Sequence, residues 1–137
     1  MRPTEIKERY EERIEAILNG IRETVKEELP EANVSEIWDQ SDDDFAWAIY
    51  IDGISDPIDI TFYIAESENW DGEVHGINFI IEGVSKGGHP VMGIIPYNYT
   101  DKVWVDRNDE EALEERFQLV ENANVCEAAE LIRRAQE

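Results

Sequence analysis

The sequence predicts an α+β fold: a long N-terminal helix packed on a five-stranded, mostly antiparallel sheet, followed by two short C-terminal helices. Three observations carry that expectation. Apolar residues recur at helical spacing over residues 4–29, the period changes to two from about residue 34 to residue 97, and helical spacing returns after Tyr97. With 137 residues the chain is long enough to bury one core and too short to divide comfortably, so 1–137 is read as a single domain.

The first helix carries Ile6, Tyr10, Ile14, Ile17, Leu18, Ile21, Val25 and Leu29 on one stripe. Thr4 is the expected cap, and Pro30 ends the run because its ring disfavours helix in the residue before it. The opposite face mixes signs, with Glu5 and Arg9 four apart and Glu23 and Lys26 three apart, as on a solvated surface held by weak pairs. At about 1.5 Å per residue the helix is roughly 38 Å long, enough to lie across a sheet.

In the period-two stretch, Phe45, Trp47, Ile49 and Ile51 share one face of a strand, and Ile58, Ile60, Phe62 and Ile64 share one face of the next. Asp52-Gly53 through Asp56-Pro57 supplies the turn. A shorter strand near Val34 to Trp38 precedes this pair. Val74 to Glu82 and Val91 to Ile95 follow it, separated by the glycine-rich Gly83 to Pro90. Asn108 with Glu111 and Asn124 with Glu127 each have the form of a relaxed capping box, opening helices lined by Leu113, Phe117 and Val120 and by Val125, Ala128, Ala129 and Ile132. Trp104 is read either as an extension of the sheet or as packing on these helices.

Charge is the most uneven property of the chain. Residues 27–85 contain sixteen carboxylates and no lysine or arginine, whereas residues 1–26 balance six acids with six bases, within a net charge of -21. A negative field of that size repels nucleic acid and anionic membrane and attracts basic surfaces or cations. No apolar run reaches the roughly 20 residues of a membrane span, and the N-terminus opens into a charged helix rather than a secretory signal. Cys126 alone allows no internal disulfide or cysteine zinc site. A cytoplasmic protein is expected.

If consecutive strands pair as hairpin neighbours, two acidic connections fall at one end of the sheet. One carries Asp39, Asp42, Asp43 and Asp44, and the other Glu66, Glu68, Asp71 and Glu73, so that eight carboxylates would share a rim with no local neutraliser. Trp70 lies inside the second connection, between Asn69 and Asp71. It reads either as an interface anchor able to stack on arginine or as a ring folded back onto the core. These nine residues form the candidate partner-binding set.

Little catalytic chemistry is legible. His75 is expected on the inward face with Ile77, Phe79 and Ile81, His89 occupies a loop before Pro90, and Cys126 reads as a small buried residue. No serine stands in a nucleophile elbow, and Gly83 to Gly88 lacks the spacing of a phosphate-binding loop. Asp39, Ser41 and Asp43 alternate like the start of a calcium loop, but Asp44 stands where that loop needs glycine and Tyr50 where it needs glutamate. No enzyme activity, cofactor or metal is expected.

These features favour a non-enzymatic acidic interaction protein that occupies a basic nucleic-acid-binding groove of a partner by imitating phosphate charge. The expected partner is a basic protein or complex that handles DNA or RNA, bound by a monomer or homodimer, with no direct binding to nucleic acid or membrane. Small acidic inhibitors of restriction or RNA-guided defence work this way as a class, which by analogy suggests an anti-restriction or anti-CRISPR role of viral or mobile-element origin. One alternative is an acidic dimeric chaperone or adaptor that holds a segment of another protein against Tyr50, Tyr63 or a sheet edge. A second is a salt-adapted domain with a small-ligand pocket between helix and sheet. In a third the acidity simply keeps like-charged molecules apart.

Overall fold

The computed structural model describes residues 2–42, 44–68, 70–88 and 104–122, together with the backbone of 90–95. Helix α1 spans Pro3–Glu28. Pro3 sits in its first turn, where a missing N–H costs nothing, and Arg2 takes the cap position with no side-chain cap bond. Thr4 therefore lies inside the helix and does not cap it. The predicted stripe from Ile6 to Val25 is buried, and Leu29 closes the helix with its N–H on the Val25 carbonyl.

The sheet contains β1 (Asn33–Val34), β2 (Trp38–Asp39), β3 (Ala46–Asp52), β4 (Ile58–Glu68), β5 (Val74–Ser85), β6 (Pro90–Ile95) and β7 (Val105–Asp106). Its order is β1-β3-β4-β5-β6, with β2 also on β3 and β7 also on β5, and every pairing is antiparallel. β1 and β2 are two pieces of one edge, interrupted where the Ser35 N–H bonds the Tyr50 carbonyl and the Ser35 hydroxyl accepts the Tyr50 N–H. The expected strand near Val34 to Trp38 is thus a broken edge, and β5 runs three residues beyond the expected Glu82.

One face of the sheet carries Trp47, Ile49, Ile51, Ile58, Ile60, Phe62, Ile64, Ile77, Phe79 and Ile81, all in a single core with the buried stripe of α1. Helix α2 (Glu110–Asn122) adds Leu113, Phe117 and Val120 to that core. Tyr10 stacks on Phe117 at 4.5 Å and meets Phe79 edge-on at 5.0 Å, so four aromatic rings including Phe62 tie both helices to the sheet. On the other face Asp59 is exposed and Tyr50, Thr61, Tyr63 and Glu82 are half-buried, while Ala46, Ala48 and Ile80 are buried.

The expectation of two short C-terminal helices is corrected to one among the described residues. Asp109, not Asn108, caps α2: its carboxylate accepts the Ala112 N–H at 3.0 Å and its carbonyl the Leu113 N–H. Asn108 instead sits in a turn, its N–H held at 2.8 Å by the Asp106 carboxylate. The second expected helix, with Cys126, falls outside the described residues, as does His89. Trp104 leads into β7 and lies against Gly76, where an added Cβ would stand 3.0 Å from the tryptophan Cβ, a tight contact that a side chain could make only if Trp104 shifted by a few tenths of an ångström.

Candidate functional site

The acidic connections do lie at one end of the sheet. β3 begins where the Ala46–Tyr63 pair brings it beside β4, and β4 runs on to Glu68 before turning into β5. They do not lie at one level. β4 and β5 continue five residues past Tyr63, which at about 3.4 Å per residue lifts Glu68 roughly 17 Å beyond the start of β3. That exceeds a screening length of about 8 Å at physiological salt for Glu68 and the hairpin tip, whereas Glu66 lies two residues past the Ile64–Phe45 bond and so nearer the 40–45 loop.

The lower group is a shelf formed by the 40–45 loop and α1. The loop is closed by bonds from the Gln40 N–H to the Ala46 carbonyl and from the Asp44 N–H to the Gln40 carbonyl, and Phe45 leaves it with a left-handed φ of 49°. Asp39 accepts the Ser41 N–H at 2.8 Å and also the Ser41 hydroxyl. Those bonds, with Lys7 nearby, hold its carboxyl below the ordinary range. Asp42 bonds Lys7 at 2.8 Å, a neutraliser supplied by α1 that the sequence reading lacked. Asp43 lies outside the described residues, and Asp44 is exposed.

Helix α1 also extends the shelf. Glu11, Glu15 and Asp39 offer carboxylate oxygens that all lie within 4.8 Å of one another, the group among the described residues best placed to share a cation. Burial, then the charges of Glu11, Asp39 and Glu12, push the Glu15 carboxyl up. Neither glutamate was in the candidate set. The missed signal was their i, i+4 spacing on the helix flank that faces the edge strand.

The upper group is the tip of the β4–β5 hairpin. Trp70 is fully exposed there, at 104% of its reference area, which overturns the reading in which its ring folds back onto the core. Glu68, Asp71 and Glu73 surround it in sequence and are exposed, and Gly72 makes the turn with φ 75°. Glu73 pairs with Arg107 at 3.1 Å. Glu66 differs from its neighbours, because it is half-buried and its Oε1 is shielded from solvent with no hydrogen-bond partner among the described residues. That burial, with the Glu68 charge, raises its pKa.

A register shift at the tip also corrects His75. Ser67 pairs with Gly76 and Glu68 with Val74, leaving His75 as the extra residue of a bulge. The bulge breaks the alternation that was to place His75 inward. Its ring is exposed, with Nε2 3.4 Å from the Ser67 hydroxyl.

Whereas Lys7 reaches Asp42, the arginines of α1 are committed elsewhere. Arg13 forms a bidentate pair with Glu121, donating from Nε at 3.1 Å and Nη2 at 3.0 Å, while its Nη1 reaches both oxygens of Glu114 at 2.7 and 2.8 Å, and its guanidinium lies 4.5 Å from the Phe117 ring centroid. Arg9 reaches Glu110 at 3.4 Å, and Arg22, only 8% exposed, bonds the Ser35 carbonyl at 2.7 Å and Glu36 at 3.3 Å. The arginines of a helix that is neutral in sequence thus spend their charge on α2 and the edge strand. Among the described residues no ion pair forms with Asp39, Asp44, Glu66 or Glu68, and no helix is long and apolar enough to cross a membrane. The chain matches no protein-family model, no curated protein and no solved structure.

Proposed function

We propose that the protein is a non-enzymatic acidic binder that blocks a basic nucleic-acid-binding groove on a partner protein. The observation that carries this reading is the projecting hairpin: a fully exposed Trp70 among Glu68, Asp71 and Glu73, on a segment that contains no lysine or arginine from residue 27 to 85. An exposed tryptophan ringed by carboxylates gives a cationic surface both a stacking face and charge. The hairpin enters the groove as a wedge, and the shelf of Asp39, Asp42 and Asp44 meets the groove wall one step below. Capture is fast because the field steers it, and release is governed by a few anchors such as Trp70. A viral or mobile-element inhibitor of restriction or RNA-guided defence fits this reading by analogy.

The test is binding to a panel of basic DNA- and RNA-binding proteins, with an acidic protein as control, over a salt series and with duplex DNA as competitor. The expected result is association that weakens steeply with salt, is displaced by the DNA and drops on Trp70→Ala. Association unchanged between low and high ionic strength would overturn the reading.

A second reading, an adaptor that holds a peptide on the sheet, draws on Trp38. This residue is 56% exposed and meets half-buried Tyr50 edge-on at 5.6 Å. Tyr63→Asp should harm only the adaptor, and the triple change of Asp42, Asp43 and Asp44 to Asn only the groove blocker.

A further inference from the structure

We infer that the partner is held by strand addition: an extended basic segment of it pairs with the open edge of β4 over Ala65–Glu68. This rests on the reading of a basic partner and specifies how that partner docks. β3 accompanies β4 only to the Ala46–Tyr63 pair and the bond from the Ile64 N–H to the Phe45 carbonyl. β5 stays paired to β4 as far as Glu68–Val74. Ala65 to Glu68 are therefore bonded on one flank, while the other flank meets no strand among the described residues.

In an antiparallel ladder the N–H and C=O of alternate residues point to the same edge. The Ile64 N–H points to the β3 side, so the backbone groups of Glu66 and Glu68 face the open edge. The bulge beside them does not alter this, because the extra residue, His75, is on β5. An unpaired row of donors and acceptors is a template for another strand. Proteins commonly guard such an edge with charged side chains, proline or a bulge on the exposed strand itself; here the guard is Glu66 and Glu68, which repel an acidic strand and admit a basic one.

Charge selects the occupant. Two copies of this edge would set Glu66 and Glu68 against the same residues, which disfavours self-pairing, whereas an incoming strand with alternate arginines meets them favourably. The shielded Oε1 of Glu66 accepts no bond from the described residues, so an arginine opposite it supplies the missing donor. An added strand occupies the place β3 would hold if it were longer. It therefore passes above the 40–45 loop with exposed Asp44, and Trp70 stands two residues beyond the end of β4 to receive a guanidinium.

Two capped ten-residue peptides test this at low salt. One alternates arginine with valine, and the other is the same sequence N-methylated on the backbone nitrogen of every arginine, which keeps the charge and removes the donors that face Glu66 and Glu68. The unmethylated peptide is expected to bind roughly tenfold tighter or more and to slow amide exchange at Glu66 and Glu68. With the unmethylated peptide, Glu66→Pro should weaken binding several-fold more than Glu66→Gln, since proline also removes the edge N–H. Equal affinity for the two peptides, or unchanged exchange at Glu66 and Glu68, would overturn strand addition and leave the acidic reading standing. Failure of both peptides to bind would overturn the two together. If Glu66→Pro does not fold, the peptide pair and the exchange data carry the test on the native chain.

Discussion

Trp47 and Trp70 belong to the same sheet and are used in opposite ways. Trp47 has no exposed surface and is part of the core under α1, whereas Trp70 is wholly in solvent at the end of the longest hairpin. The charges divide in the same manner. On the helix side Arg9 and Arg13 each face a glutamate of α2, and Arg13 also covers Phe117. At the acidic end two of the candidate carboxylates have a basic partner, Asp42 with Lys7 and Glu73 with Arg107, while Asp39, Asp44, Glu66 and Glu68 form no ion pair among the described residues. Stability is concentrated where charge is matched, and the unmatched field is kept on turns and a hairpin that the core does not depend on.

That contrast would break first in the core. Phe117→Ala removes a ring that touches Tyr10, Phe62 and Phe79, and should destabilise the fold by about 3–5 kcal/mol, read from urea unfolding. A loss under 1 kcal/mol would mean that α2 is not part of the cooperative unit. Arg13→Ala strips two glutamates of their partner and uncovers the Phe117 face. The pairs are about one-third exposed and therefore screened, so a loss of about 1–2 kcal/mol is expected, with Arg13→Lys recovering only part of it. Burial pushes the Tyr10 phenol, beside the same cluster, up to about 12, so its absorbance titration should lie well above that of free tyrosine.

Acidification separates the two regions by sign. Glu15 and Glu66 have folded pKa values raised above the ordinary 4.5, so the folded chain holds those protons more tightly. Their contribution grows as pH falls through the raised values and is lost as pH rises. Asp39 and Glu114 behave oppositely. Burial raises Glu114, but the Arg13 bonds outweigh it, and the Ser41 bonds lower Asp39. What those two contribute is present above their ordinary values and is lost as pH falls through the depressed ones. The melting temperature should therefore rise modestly from pH 7 toward pH 5 and drop below about pH 4. Glu15→Gln combined with Glu66→Gln should flatten the rise and leave the drop in place.

The smallest effect on stability is expected at the tip. Trp70→Ala should stay within about 0.5 kcal/mol of the parent in the same unfolding experiment, because the ring buries nothing. A loss above 1 kcal/mol would show that the tip is structural and would remove the contrast with Trp47.

Elements with a long, regular pattern were legible in the sequence. The α1 stripe and the alternation in β3 and β4 were readable because a buried face repeats at 3.6 or at 2 and any other register would expose it. The same logic failed at His75, where a single bulge reverses the alternation and leaves no mark in composition. It also failed at the start of α2, where Asn108 and Asp109 are adjacent and equally able to cap, so that only the bond to Ala112 distinguishes them. At the candidate site, residue identities and loop positions were readable. The step between shelf and tip was not, since it depends on how far β4 outruns β3. Glu11 and Glu15 were missed because a helix that sums to zero charge gives no hint of which flank faces Asp39.

The order of residues alone determined that one long stretch would be acidic without a single base, that two strands and a helix would share an apolar side, and that four tryptophans were available to it. Those are properties of type and period, and both are local. Tertiary structure decided which bases of α1 meet which acids and which tryptophan is left in water. It also left the last residues of β4 with an open flank. Each of these depends on strand lengths and register across residues far apart in the chain, where pairing is set by the packing of the whole sheet and not by any segment taken singly.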